Sequence, residues 1–472
     1  MAVLALAGCS GSGGGTAARS SPGLRGDLYT GPAASGQPTP LGMKWDWSKL
    51  DAYGPYLRQL SGSATFYQLA WCDIEPKPGH RDWSSVDAVV AASRRLGYPL
   101  YLKLRIGSCW ATGGRGGHAR GKKRIKTASA MPTDLRAYAA FISATARRYA
   151  PQGVHTWAIE NEVNAPSFWD GTPADYERLV GVAAGALRSA DPRARVLDGG
   201  ISSTGYGVAI ADRLLTAGRP AAALSAYRAY YARRFDRRAN DFPPAATVAD
   251  LRTALKTDQA RRNLGFLSAT LDLAGRHVID AVQVHFYESW DNVPALLAYL
   301  RSALPAGFPI QAWEVGQYWP NGPADSDTRT GEMVKAVTLF LAGGVRRVIW
   351  LPLAFSAGGR QPAELRFGLL DPSGAERPAG SAFAAIGVAA RGATWREVPV
   401  RGGFGLAFSR PGHTVLVLWG NGRVQPMPGV RASVQRVTGS SVSLPATGLA
   451  LGTLPVVVSV NGPTVDPTRM VS

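Results

Sequence analysis

His155-Thr156-Trp157-Ala158-Ile159-Glu160-Asn161-Glu162-Val163-Asn164 changes character halfway along. It opens as a short apolar run of the kind that forms a buried strand, and it ends in acid and amide side chains. Pro309-Ile310-Gln311-Ala312-Trp313-Glu314-Val315-Gly316 is built the same way and delivers a single Glu. Working outward, further strand candidates are Ala64–Trp71, Pro99–Ile106, Arg195–Gly200, Asp280–Tyr287 and Arg347–Leu353, with Leu41–Trp47 a weaker first one. Amphipathic runs lie between them. Ala137–Ala150 is led by Pro132-Thr133-Asp134, and Pro173–Ala190 has Thr172 as N-cap and Pro173 as first helical residue. Eight strands interleaved with helices predict an α/β fold, a (β/α)8 TIM barrel over residues 39–390. A doubly wound open sheet is the alternative, but no Gly-rich nucleotide loop follows the first strand. The stretch 208–276 is too long for one connection and reads as a helical insertion, with helices at Leu224–Phe235 and Val248–Leu264. From residue 391 to 472 the texture changes. Short alternating runs at Gly405–Phe408, Thr414–Trp419, Ala432–Val437 and Leu454–Val460 predict a small antiparallel β-sandwich.

Composition bounds the rest. With 46% hydrophobic residues in 472, the chain can fill a large core, which excludes disorder throughout. No apolar stretch is long enough to span a bilayer as a helix. Three Cys are too few for a disulfide framework. The net charge of +19 favours anionic partners such as lipid headgroups, acidic glycans or nucleic acid, or else is a generic basic surface. In residues 1–38, Leu6-Ala7-Gly8-Cys9 resembles a bacterial lipobox, followed by a Gly/Ser-rich tether. That resemblance implies lipidation of Cys9 and an extracytoplasmic protein, anchored to the membrane or secreted. No Lys or Arg precedes the apolar run, and the run is short for a signal core, so the natural start is expected further upstream.

In a barrel, catalytic side chains come from the C-terminal ends of the strands. Strand four delivers Glu162, strand six His285-Phe286-Tyr287, strand seven Glu314 and strand eight Trp350. Two Glu on opposite sides of one mouth are what glycoside hydrolysis needs, one to protonate the leaving oxygen and one to attack or to activate water. With these residues the chain resembles glycoside hydrolase clan A, the retaining barrel glycosidases, with features like those of families 5, 39 and 42. The resemblance implies Glu162 as acid/base, Asn161 as holder of the sugar 2-hydroxyl and Glu314 as nucleophile. It further implies that His285 and Tyr287 tune Glu314 and that Trp350 forms the sugar platform. Trp71-Cys72-Asp73-Ile74-Glu75-Pro76 with Gly79 and Asp82-Trp83-Ser84 resembles the second-strand loop of such enzymes, which puts Trp71 among the substrate-binding candidates. Phe367-Gly368-Leu369-Leu370-Asp371 with Arg377-Pro378 resembles their segment after strand eight. The Glu-Val-Asn at Glu162–Asn164 departs from the common Trp-Asn-Glu-Pro pattern and leaves sugar and family open.

Alternation along the strands adds detail. If Glu162 points inward, so do Glu160 and Ala158. Leu100, Leu102 and Leu104 should face the helices, leaving Lys103 and Arg105 inside. Lys103 is then the expected partner of Glu160, and Arg105 should reach the mouth to hold substrate or Glu162. Cys72 and Cys109 follow neighbouring strands, so they either pair in an oxidising compartment or stay two separate buried thiols. Lys122, Lys123, Arg124 and Lys126, in the loop after strand three, either solvate that loop or meet an acidic glycan. Six His, none in metal-ligand spacing with Cys or acids, do not support a metal site, and no cofactor is implied. The reading that results is a retaining glycosidase of a polysaccharide or oligosaccharide. A catalytically inactive glycan-binding barrel and an anionic-polymer-binding surface protein are the competitors. No nucleic-acid motif is present, so no nucleic-acid partner is expected.

Overall fold

Apolar strands with small inward residues build the centre of the molecule. The computed structural model describes residues 24–120, 123–235, 242–319, 322–323, 325–354, 368–437, 441–462 and 466–471. Eight parallel strands form the barrel: β1 (Leu41–Met43), β2 (Thr65–Ala70), β3 (Leu100–Arg105), β4 (Thr156–Ile159), β5 (Arg195–Leu197), β6 (Val282–Phe286), β7 (Ile310–Val315) and β8 (Val348–Trp350). They run as two four-stranded sheets, closed by the parallel bridges Gly42 to Ala64 and Leu197 to Ala281. All eight expected strands are present, β1 among them.

The interior is a plug of Ala64, Phe66, Ala158, Leu197, Ala281, Trp313 and Ile349. Trp313 stacks between Tyr101 and Phe66, at ring-centre distances of 5.0 and 6.0 Å. Leu100, Leu102 and Leu104 face the helices, as alternation predicts. Helix Pro173–Ala190 starts where expected, with Thr172 and Asp175 forming a capping box. Asp134 caps helix Leu135–Tyr149.

The long connection after β5 is helical: Thr204–Thr216, Pro220–Tyr231, Val248–Ala254 and Asp258–Gly275. The expected helix Val248–Leu264 is two helices, because the Thr257 side chain caps a new start at Ala260 N–H. The region 391–472 holds strands β9 (Thr394–Val398), β10 (Phe404–Arg410), β11 (His413–Trp419), β12 (Arg423–Val424), β13 (Arg431–Arg436), β14 (Ser441–Ser443), β15 (Leu449–Ala450) and β16 (Val456–Asn461). Six of them form an antiparallel sheet in the order β9-β10-β11-β16-β13-β14, and β12 pairs with β15. The layers enclose their own core of Leu416, Leu418, Val424, Val434, Val458 and Met470. This unit rests on the barrel, where the Trp395 indole donates to Leu341 C=O at 3.2 Å and Trp290 meets Trp419 edge-on.

No helix among the described residues is long and apolar enough to cross a membrane. Cys9, its tether, Lys122 and Phe367 lie outside the described residues.

Candidate active site

The apolar run of β4 ends at Ile159, and the backbone then leaves the extended region. Glu160 and Glu162 both take positive φ, 67° and 42°. Side chains of this kind rarely adopt that conformation, and such strain concentrates at functional sites. Its effect is to break the two-residue alternation. Ala158 points into the barrel plug, while Glu160 turns to the top of β3 and accepts from Ile106 N–H at 2.8 Å and from Arg105 Nε at 3.4 Å. Glu162 is then free to face the barrel axis.

This geometry corrects three expectations. Lys103 and Arg105 are both buried, but their partners are exchanged: Arg105, not Lys103, meets Glu160. Arg105 also donates to Phe168 C=O at 3.1 Å and lies over the Phe168 ring, so it does not hold Glu162. Trp71 is 1% exposed and packs on Trp110, Tyr138 and Phe141, with its indole N–H on Glu75 at 3.0 Å. Its place is under the second-strand loop, which its partner Glu75 clasps through Gly79 N–H and Arg81, rather than on the substrate.

At the barrel axis, Lys103 Nζ donates to Glu314 Oε1 and to Asn161 Oδ1, both at 2.7 Å, and lies 3.1 Å from His285 Nε2. Lys103 thereby orients the Asn161 amide, turning the oxygen to the ammonium and leaving the NH2 as a donor. Tyr287 Oη donates to Glu314 Oε2 at 3.0 Å. His285 Nδ1 faces Glu162 Oε1 at 3.1 Å and Glu314 Oε2 at 3.7 Å. Both neighbours of Nδ1 are carboxylate oxygens, so a ring proton sits there. Burial alone would raise the Glu314 pKa; His285, Lys103 and the Tyr287 hydroxyl overcome it and hold the carboxyl at about 2. Glu160 behaves in the opposite way. Burial raises its pKa, and Arg105 and the Ile106 amide offset this only in part.

Small residues make the close approaches possible. A Cβ on Gly200 would sit 2.5 Å from His285 Nε2, and one on Gly316 would sit 2.4 Å from Leu351 C=O and 2.8 Å from the Tyr287 ring. The helical insertion braces the same loops. Arg234 is buried against Glu288, with its guanidinium 4.0 Å from the Tyr318 ring centre. Arg233 pairs with Glu332 and lies 3.9 Å from the Trp319 ring centre. Asn164 donates to Ser202 and to Asn263 of the insertion, at 2.9 and 2.8 Å. The Asn of Glu-Val-Asn thus ties the β4 loop to the insertion. Cys72 and Cys109 form a disulfide, with Cα atoms 5.6 Å apart, that staples the loops after β2 and β3. Trp350 is 2% exposed and belongs to the main apolar core.

Glu162, His285 and Glu314 each bring one donor atom within 4.8 Å of the others. Sequence spacing showed no metal-ligand pattern because the trio's members come from three strands, although their strand-end positions put all three at the mouth. A cation there would have to share Glu314 and His285 with the Lys103 ammonium, which already supplies the positive charge. Chemically, the arrangement offers one carboxyl kept ionised and a second within reach of the same bound molecule.

No family model matches the chain, and no curated protein matches it in sequence. Solved structures do match its fold. A family 39 glycoside hydrolase from Bacteroides cellulosilyticus WH2 aligns with a TM-score of 0.62 at 17% identity, over 90% of this chain and 81% of that one. A monomeric beta-xylosidase from Caulobacter crescentus CB15 gives 0.55 at 13%, over 93% and 99%. The catalytic domain of GH30 xylanase C from Talaromyces cellulolyticus gives 0.51 at 14%, over 92% and 99%. The likeness is one of fold, a (β/α)8 barrel continuing into a C-terminal antiparallel unit.

Proposed function

We propose that this protein is a retaining glycoside hydrolase of clan A, cleaving O-glycosidic bonds by double displacement. The observation that carries this reading is the pairing of Glu162 and Glu314, which end β4 and β7 and bring carboxylate oxygens within 4.8 Å of each other. Retaining enzymes hold their carboxyl groups about 5–5.5 Å apart, whereas inverting ones leave roughly 6.5–9.5 Å for a water. The spacing favours retention. The names of the structural neighbours, a family 39 glycoside hydrolase, a beta-xylosidase and a GH30 xylanase, point the same way.

Glu314, kept ionised by Lys103, His285 and Tyr287, attacks the anomeric carbon. Glu162 protonates the departing oxygen, then takes a proton from the water that releases the sugar. The Asn161 NH2 holds the 2-hydroxyl, and Trp350, buried at the end of β8, has the platform role on the clan resemblance alone. No observation among the described residues favours the inactive-barrel reading. An acidic glycan is the finer substrate reading, supported by the +19 charge, and anchoring through Cys9 outside the cytoplasm is supported by the lipobox resemblance and the Cys72–Cys109 bridge.

Proton NMR of the sugar first released from an aryl glycoside tests the mechanism. The product should keep the substrate's anomeric configuration; an inverted first product would refute it.

A further inference from the structure

Four cations around the mouth have carboxylate partners. Lys103 meets Glu314, Arg105 meets Glu160, Arg234 meets Glu288 and Arg233 meets Glu332. Lys44, just past the end of β1, has no carboxylate within ion-pair distance among the described residues. Its Nζ makes one hydrogen bond, to Trp45 C=O at 3.1 Å, although an ammonium carries three donors.

Its position is set by the strand. Gly42 points into the barrel, where a Cβ would meet Ile349, so Lys44 is the next inward position and one step nearer the mouth. The Lys44 ammonium lies 5.6 Å from the centre of the Phe66 ring, and the Lys103 ammonium lies 4.7 Å from the same ring. Trp47 flanks it at 5.9 Å. Lys44 therefore stands beside the group that grips Glu314, at the mouth end of β1. The nearby Asp46 carboxylate makes no ion pair with it and accepts from Ser48 N–H and hydroxyl. Burial lowers the Lys44 pKa to about 8; Asp46 and Glu314 raise it against this, and Lys103 lowers it further. The ammonium has no ion-pair partner among the described residues, and an anion would supply one.

We infer that Lys44 is a specificity residue of the glycone pocket and that it selects a sugar bearing a carboxylate, a uronide. This rests on the glycosidase reading above and names its substrate class. A carboxylate fits the single ammonium. Discrimination by one desolvated charge pair is typically tens-fold or more.

The test is a matched panel of 4-nitrophenyl uronides and the corresponding neutral hexosides and pentosides, assayed with the full chain and with Lys44→Met and Lys44→Arg. The parent should favour a uronide over its neutral counterpart by about tenfold or more in kcat/KM. Lys44→Met should collapse that ratio by a similar factor, and Lys44→Arg should restore part of it. Preference for neutral sugars, or an unchanged ratio in Lys44→Met, would overturn the inference while leaving the glycosidase reading standing. If neither series is turned over, the glycosidase reading fails by itself. Calorimetric binding of D-glucuronate and D-galacturonate against D-glucose and D-galactose then decides for Lys44. Sugar-acid binding that Lys44→Met abolishes supports the site; absence of such binding in the parent refutes it.

Discussion

Two buried carboxylates meet cations two positions apart on one strand, yet they serve opposite ends. Glu160 is held by Arg105 on one side and by a backbone amide, in a place substrate cannot reach, and its pKa is raised. Glu314 is held by Lys103, His285 and Tyr287 in a place that opens to the mouth, and its pKa is pulled down to about 2. The ingredients of an ion pair do not decide function. The number of groups favouring the charged form, and access to a reacting molecule, do.

The contrast is sharpened most by Glu314→Gln, which should lower kcat by about 10⁴-fold or more on every aryl glycoside, since no nucleophile remains. Measurable turnover within a hundredfold of the parent would remove Glu314 from that role. Arg105→Met should instead unfold rather than inactivate. Breaking a buried pair costs about 3–5 kcal/mol, so urea melting should show that loss, and adding Glu160→Gln should recover part of it. Lys103→Met should lower kcat by about 10²–10³-fold, on the scale of losing one preorganised group. It should also raise the Glu314 pKa, moving the acid limb of kcat/KM to higher pH, because a nucleophile ionised down to about pH 2 would then protonate in mild acid. An acid limb that stays in place would make Lys103 a structural residue only. Replacing Cys72 and Cys109 with Ser should cost about 2–4 kcal/mol. The smallest effect concerns Lys44. Its folded pKa of about 8 lies below its unfolded value of 10.5, so its charge destabilises the fold below pH 8 and that penalty disappears between about pH 8 and 10.5. Lys44→Met should therefore melt higher than the parent at pH 7, and the gap in Tm should close over that window.

Much of this was legible in the sequence wherever a rule of local geometry applied. Strand after strand began within a residue or two of its expected start, because an apolar run bounded by polar residues has few other fates. Thr172-Pro173 marked a helix start for the same reason. The errors begin where the chain stops being regular. Alternation carried through Glu160 and Glu162 assumes an extended backbone, and the positive φ at both residues cancels it, which is why Lys103 and Arg105 exchanged partners. Strand β9, Thr-Trp-Arg-Glu-Val, went unread because only its last residue is buried, so its pattern carries no alternation. Trp71 was credited with a substrate role by motif alone, whereas three aromatic neighbours claim its faces. Lys44 gave no signal, since its meaning lies in what is missing around it.

Covalent capture tests the central claim most directly. A 2,4-dinitrophenyl 2-deoxy-2-fluoro glycoside of the best-cleaved sugar should inactivate the enzyme, and peptide mass mapping should place the fluorosugar on Glu314. An adduct on Glu162 or elsewhere, or hydrolysis with inversion and no adduct, would contradict the assignment.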